Sequence, residues 1–388
     1  MNHISADLEP SLKAWRHELH RNPEFGFKEF QTAEFIADKL RSFGLEVFEK
    51  IGQTGVVGVL KNGDSSRSIG LRADMDALKI QELNDFDYRS NNDGMMHACG
   101  HDGHSTMLLG AASHLASTMN FDGSIYFIFQ PAEEHGKGAL SMIDDGLFER
   151  FQIESIFGLH NLPGLPLGEF AIRPGSLMAS ESGFEINLFG KGGHAAMPHM
   201  GVDTLLLASQ CVVALQTVVS RNMSALHESA VVSVTEFVTD GTVNVIPSKV
   251  TLKGDCRCFT DDAIEKIKTS MERIISGLCA AAGATYDFEF ITTFPSTIND
   301  PAETIKAVSA ARAVFGDDHV NANCDAYTIS EDFSNMLRVK PGCYGLIGNG
   351  GGPDGGCALH NPKYDFNDSI LAQGCSYWIQ LVEEQLKK

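Results

Sequence analysis

The stretch "HACGHDGH", residues 97–104, concentrates His97, Cys99, His101, Asp102 and His104 in eight positions, with His114 shortly after. Thiolate, neutral imidazole and carboxylate are the ligands of borderline divalent ions such as zinc, manganese, cobalt or nickel. An all-oxygen shell would instead have suggested magnesium or calcium. Further on, "SIGLRADMD" carries Asp74 and Asp76, "SIYFIFQPAEE" carries Glu133 and Glu134, and "SIFGLH" ends on His160. Each piece has an ordinary explanation. A lone Cys is usually a buried hydrophobe, paired acids often open a helix, and a His after an apolar strand is more often a satisfied core residue. Their coincidence at the ends of strand-like runs is what favours a site. The chemistry implied is metal-assisted hydrolysis. Metal ions acidify water and polarise a carbonyl, while a separate carboxylate takes the water's proton and hands it to the leaving amine. The adjacent glutamates supply one base and one ligand.

Such side chains need elements that aim them. "TGVVGVL", "SIGLRA", "SIYFIFQ" and "SIFGLH" are short apolar runs interleaved with helical patterns at Leu8 to Arg21 and Lys28 to Phe43, the signature of an α/β domain. In open α/β sheets ligands bind beyond the carboxyl ends of the strands, where these acids and imidazoles fall. From Ser182 the rhythm changes. "FEINLFG" alternates, "VDTLLLASQCVVALQTVVS" is helical, and "AVVSVTEFV" and "KVTLKGDCR" are strands. A second helix follows a Thr260 cap, carries Ile264, Ile267, Met271, Ile274 and Leu278 on one face, and ends near Gly283. Alternating Tyr286, Phe288 and Phe290 complete a βαββαβ order, ferredoxin-like, which can close its own small core. The α/β style then resumes in "PAETIKAVSAARAVFG", "GCYGLIG" and a final helix from Ser369. The expected organisation is a discontinuous, helix-flanked catalytic domain (1–181 and 294–388) with an inserted dimerisation or lid domain (182–293).

Composition narrows the function classes. With 388 residues, 43% of them hydrophobic, the chain can bury two cores. A formal charge of -20 disfavours nucleic acid and anionic membranes, because both require a basic footprint. Nine cysteines without regular spacing point to reduced thiols, and the start lacks a basic region followed by an apolar run, so a cytoplasmic location is expected.

The ordered motifs "HRNPEFGF", "LRADMDAL", "HACGHDGHSTMLLG", "FQPAEE", "GLHNLP", "GKGGHAAMPH", "NVIP", "SEDFS" and "ALHNPKYDFND" span nearly the whole chain. Through them the sequence resembles the hippurate hydrolase and indoleacetyl-amino-acid hydrolase group of the aminoacylase and carboxypeptidase metallohydrolases. The resemblance implies two divalent metals held by Cys99, His101, Glu134, His160 and His360, with Cys99 as the bridge. It assigns Glu133 as general acid/base and His194 as support for the oxyanion. Asp76 becomes the carboxylate that orients a ligand histidine, and Asp74, Asp102 and His199 fall to structural roles. His360 comes from the resemblance alone. Asn244 in "NVIP" and Arg257 in "GDCR" are candidate substrate contacts, since Arg can grip a carboxylate with two parallel hydrogen bonds. Similar enzymes commonly pair through the inserted domain and donate this histidine across the interface, so a homodimer is expected. Two departures bear on substrate choice. Lys79 stands where proline is usual, and His135 and Lys137 interrupt a run that is commonly glycine-rich. The reading is an amidohydrolase removing an acyl group from the nitrogen of an amino acid, a small-molecule substrate. A dipeptidase or carboxypeptidase with the same centre, or a metal-binding regulator without catalysis, are its alternatives; the second has no use for Glu133.

Overall fold

Three apolar runs that do not alternate become neighbouring strands buried on both faces, as strands of parallel sheets are. The computed structural model describes residue 4 and residues 8–226, 228–351 and 357–388. The amino-terminal stretch forms α1 (Glu9–Arg21) and α2 (Phe30–Ser42), then β1 (Glu46–Ile51), β2 (Gly55–Asn62) and β3 (Ser68–Asp74). Helix α3 (His101–Thr118), β4 (Gly123–Gln130), α4 (Gly138–Asp144), α5 (Leu147–Arg150), β5 (Ser155–Pro163), β6 (Phe170–Ala171) and β7 (Gly175–Met178) follow. Next come β8 (Glu181–Phe189), β9 (Gly193–His194), α6 (Thr204–Thr217), β10 (Ala230–Thr239), β11 (Val245–Ile246), β12 (Lys249–Cys258), α7 (Asp261–Ala282) and β13 (Thr285–Phe294). The remaining elements are β14 (Thr297–Asn299), α8 (Pro301–Phe315), β15 (Val320–Asn321), α9 (Ser334–Leu337), β16 (Gly342–Gly350) and α10 (Leu371–Gln385).

The chain divides into two compact units. One contains the residues up to Leu177, Ile298–Asp325 and Glu331–Lys388; the other contains Met178–Thr297 and Ala326–Ser330. The short return of Ala326–Ser330 to the second unit, invisible in the periodicity, has a backbone cause: the N–H of Ala179 donates to the carbonyl of Tyr327 at 3.0 Å.

The first unit is built on an eight-stranded mixed sheet in the order β1-β2-β4-β3-β5-β16-β6-β15. Strands β4, β3, β5 and β16 run parallel to their neighbours in that series, so their carboxyl ends open on one edge. All seven residues of β3 are buried. Helices α1, α3, α8 and α10 pack together, with Leu12, Leu108, Ala311 and Trp378 in the same core.

The second unit has four antiparallel strands in the order β10-β12-β8-β13. Its core joins Phe184, Ile186 and Leu188 of β8 to Leu207 and Cys211 of α6 and Ile267 and Met271 of α7. Helix α7 starts where the sequence predicts, with the Thr260 hydroxyl accepting from the Ala263 N–H, and stops at Gly283 in the left-handed region, φ 71°. Its buried stripe is Ala263, Ile267, Ser270, Met271, Ile275 and Cys279; Ile264, Ile274 and Leu278 flank it half-buried. Thr204–Asn222 is long and apolar enough, by length and composition, to cross a membrane. Here one side, with Leu207, Ala208, Cys211, Leu215 and Val218, fills the core, while Leu205, Leu206 and Val213 stay exposed.

Candidate active site

Strands β3, β4 and β5 deliver their ends to one place. The turn after β4 is forced by Ala132, whose φ of 49° is in the left-handed region and orients Glu133 and Glu134 in a single 3-10 turn. Glu29, fully buried, props that turn. It accepts the Ala132 N–H at 2.9 Å and the Thr54 hydroxyl at 2.7 Å. On the other side Gly100 opens α3 at φ 97°, and a Cβ there would meet Asn161 Oδ1 at 2.3 Å. Glycine is therefore required between Cys99 and His101.

Two groups of donor atoms form around one sulfur. Cys99, His101 and His160 converge, as do Cys99, Glu134 and His360, with the ligand atoms of each group within 4.8 Å of one another. All five residues implied by the resemblance are thus assembled, sharing the thiol. His360 is more than two hundred positions from this loop in sequence, and its backbone N–H donates to the Ala98 carbonyl at 2.8 Å. Its φ is 63°, so the backbone takes an uncommon conformation to reach that position.

The imidazoles are preset as ligands. His160 Nδ1 lies 2.6 Å from the Asn161 carbonyl and His101 Nδ1 3.0 Å from the Asp76 carbonyl; a carbonyl only accepts, so both Nδ1 atoms carry the proton. Asp76 Oδ1, 3.1 Å from His101 Nδ1, adds a charged acceptor, the usual orienting partner of a ligating histidine. Nε2 is therefore the atom each ring offers to a cation, although at His101, where burial is outweighed by Asp74, Asp76 and Glu134, which raise the pKa to about 10, a cation must first displace a proton. His160 Nε2 accepts from the Cys99 thiol at 3.4 Å and Glu134 Oε1 lies 3.3 Å from His360 Nε2, whereas His101 Nε2 is buried without a hydrogen-bond partner. An orphaned buried nitrogen in a set of S, N and O donors fits divalent cations well. Asp74, His101 and His104 form another convergence, but His104 is engaged on both nitrogens, by Asp74 at 2.6 Å and Asn161 at 2.8 Å. It buttresses the centre.

Burial, then the charges of Glu134 and Glu133, push the Cys99 thiol well above its ordinary pKa. A cation binding here must displace that proton, so its affinity rises with pH. Before any cation binds, burial, then Glu331 and Glu134, also hold Glu133 well above the carboxylate range; the positive charge of bound cations would favour its ionised, basic form. Beneath α3, Asp102 is bonded to His20 at 2.8 Å and lies 3.5 Å from the buried Arg16.

The second unit presents its residues differently. His194 and Asn244 meet on the small ribbon of β9 and β11: the Ala195 N–H donates to the Asn244 carbonyl at 3.0 Å, and His194 pairs with Val245. His194 is exposed, and its Nδ1 accepts the Ala196 N–H at 3.0 Å. Arg257 is elsewhere, at the end of β12, where Glu181 at 2.8 Å, Asp255 at 2.9 Å and Ser330 at 2.8 Å engage its guanidinium. Glu29, Arg72, Asn161, Glu331, Asp332 and Tyr364 were not among the sequence candidates for this centre. "SEDFS" contained two of them.

A thiol-centred donor set, oriented histidines and an unligated carboxylate beside them are the equipment of a metal-assisted hydrolase. A family model described as Peptidase family M20/M25/M40 matches residues 70–384. The chain is 40% identical to a hippurate hydrolase of Campylobacter jejuni over 98% of both chains, and 35% identical to an N-acetylcysteine deacetylase of Bacillus subtilis over 94% of both. Among solved structures, a Bacillus subtilis protein described as a dinuclear metal-binding peptidase of the M20 family superimposes with a TM-score of 0.86 at 30% identity, covering 99% of each chain. The chain belongs to peptidase family M20/M25/M40, and it is a hydrolase acting on amide bonds.

Proposed function

We propose that this protein binds two divalent metals, zinc, manganese, cobalt or nickel, and hydrolyses N-acyl amino acids to a carboxylic acid and a free amino acid. The observation that carries the reading is the pair of donor groups sharing Cys99. Cys99, His101 and His160 would hold one ion; Cys99, Glu134 and His360 the other. Metal ions held there would supply polarisation of the scissile carbonyl and acidification of the attacking water. Glu133, buried beside the donors but absent from both triads, takes the proton from that water and returns it to the leaving nitrogen. Asp76 keeps His101 in the ligating tautomer. His194 donates to the oxyanion, and Asn244 and Arg257 bind the substrate carboxylate.

A homodimer supports this division of labour. The edge strand β10 exposes Val231, Phe237 and Val238, and α6 exposes Leu205, Leu206 and Val213. An apolar edge of this kind is normally covered. In the dimer, His194 of one chain serves the metals of its partner. His194→Ala and Glu133→Gln proteins, refolded together, then regain about a quarter of parental activity by random pairing of chains. No recovery in verified mixed dimers would contradict this arrangement. The reading places the enzyme in the cytoplasm, consistent with nine cysteines free of disulfides, with neither nucleic acid nor membrane as partner.

The experiment is a substrate panel on metal-reconstituted protein. N-benzoyl and N-acetyl amino acids should be cleaved in preference to dipeptides, chelator should abolish the activity, and metal should restore it. Preference for dipeptides, or hydrolysis indifferent to chelator, would contradict the proposal.

A further inference from the structure

The carboxylate assigned as general base does not stand free. Glu133 Oε1 accepts the backbone N–H of Asp332 at 3.3 Å. That N–H is itself held by a buried network. Asp332 Oδ1 accepts from Gln130 Nε2 at 2.7 Å and from Arg72 Nη2 at 3.3 Å, and its Oδ2 accepts the Ala139 N–H at 2.9 Å. Glu331 accepts from Arg72 at 2.8 Å, from the Phe333 N–H at 3.0 Å and from the Tyr344 hydroxyl. The same guanidinium donates to Asp74 at 2.7 Å and to Gln130 Oε1 at 2.9 Å. Arg72, Asp74, Gln130, Glu331 and Asp332 are all buried.

Three carboxylates around one guanidinium, with Glu133 alongside, make a poor source of stability. Buried ion pairs can often be replaced by apolar packing at little cost. What the network secures is position. The Asp332 carboxylate is tied to β3 through Arg72, to β4 through Gln130 and to α4 through Ala139, which fixes the direction of its backbone N–H. That N–H occupies one oxygen of Glu133. A base must sit within hydrogen-bond reach of the proton it removes, and a misplacement of about 1 Å can cost about 100-fold in rate.

We infer that Asp332, anchored by Arg72 and Gln130, is a positioning residue for Glu133, fixing one carboxylate oxygen so that the other meets the attacking water. The inference rests on the amidohydrolase reading. It makes kcat depend on Asp332 while KM and metal content do not.

The test uses metal-reconstituted, full-length protein. Asp332→Asn sets an amide nitrogen against one of the donors now facing the carboxylate, and Gln130→Met removes one anchor more gently, which keeps the test available if Asp332→Asn fails to fold. Each should lower kcat by about 10- to 100-fold, with KM and bound metal unchanged. In a Glu133→Gln background the same changes should cost nothing further, because their effect runs through the missing base. An equal loss in both backgrounds, or parental kcat in both single variants, overturns the inference. Parental turnover by Glu133→Gln itself would overturn the role of Glu133 in the amidohydrolase reading, and the inference with it; an inactive Glu133→Gln beside fully active Asp332 and Gln130 variants removes only the positioning role.

Discussion

The end of the eight-stranded sheet and the β9–β11 ribbon both carry residues assigned to the same reaction, yet they are built in opposite ways. At the sheet, most of the side chains around the donors are themselves held: His101 by Asp76, His160 by the Asn161 carbonyl, His104 by Asp74 and Asn161, Glu133 by the Asp332 N–H, with His360 alone among the donors exposed. On the ribbon, His194 is exposed and accepts one N–H two residues away. Rigid support suits metal ligands, whose geometry must exist before substrate arrives. An exposed histidine suits a group that completes the site only when another surface, its own chain's or a partner's, meets it. The difference teaches that the two regions should fail differently when cut.

The largest effects belong to the sheet. Glu133→Gln should keep its metal while kcat falls by about two orders of magnitude or more, whereas Glu134→Gln should lose metal affinity. Elemental analysis beside steady-state kinetics separates the two. Glu133→Gln at the parental rate would take Glu133 out of the mechanism. Next comes the ribbon: His194→Ala should cost about 3 kcal/mol in the transition state, the worth of one oxyanion donor, with full metal content. A loss of metal in that variant would erase the distinction between the regions.

A third effect tests how far the support beneath the sheet matters for stability. His20 is buried; although burial opposes its charging, Asp102 and Glu82 raise its pKa to about 9. The unfolded value is about 6.5, so the folded state holds the proton more tightly. The stabilisation is fully present below about pH 6.5, reaches about 3 kcal/mol, and is lost as pH rises through about 9. Chemical denaturation of metal-free protein between those limits should show the decline, and His20→Gln should make it shallower, leaving the part due to His101 and Asp332, whose pKa values are also raised. A parent whose stability rises over that window would contradict the assignment. The smallest effect is expected at Arg257, already engaged by Glu181 and Asp255. Arg257→Ala should raise KM for carboxylate-bearing substrates about tenfold, roughly 1.4 kcal/mol of binding, with little change in kcat. An unchanged KM would leave ion pairing as its whole role.

The two regions also differ in how much of them could be read from the chain. Strand runs, helix caps and the βαββαβ order are local patterns, so α7 began at its Thr260 cap and β3 and β4 carried their acids to or just past their ends, while β5 runs on to Pro163 beyond the His160 that the apolar run ended on. The convergence of Cys99, His101, Glu133, Glu134 and His160 was legible because chemistry and strand ends coincided. The support was not. Arg16 meets Asp368 across 352 positions, Arg72 meets Glu331 across 259, and Ala132 donates to Glu29 across 103. No local period encodes such pairs, and an isolated buried arginine reads as a surface charge until its partners are known. His360 was likewise silent in spacing, because a loop hydrogen bond to Ala98 sets its place. The ribbon was legible as a motif, while the engagement of Arg257 with its neighbours was not.

The central claim is that two metals share Cys99 in a centre that cleaves N-acyl amino acids. The most direct test adds metal stepwise to chelator-stripped protein and follows bound metal together with hydrolysis of N-benzoylglycine. The account predicts that activity rises until two ions are bound per chain, and that Cys99→Ala loses both metal and activity. Full activity at one ion per chain, or a Cys99→Ala protein that binds two and turns over normally, would contradict it.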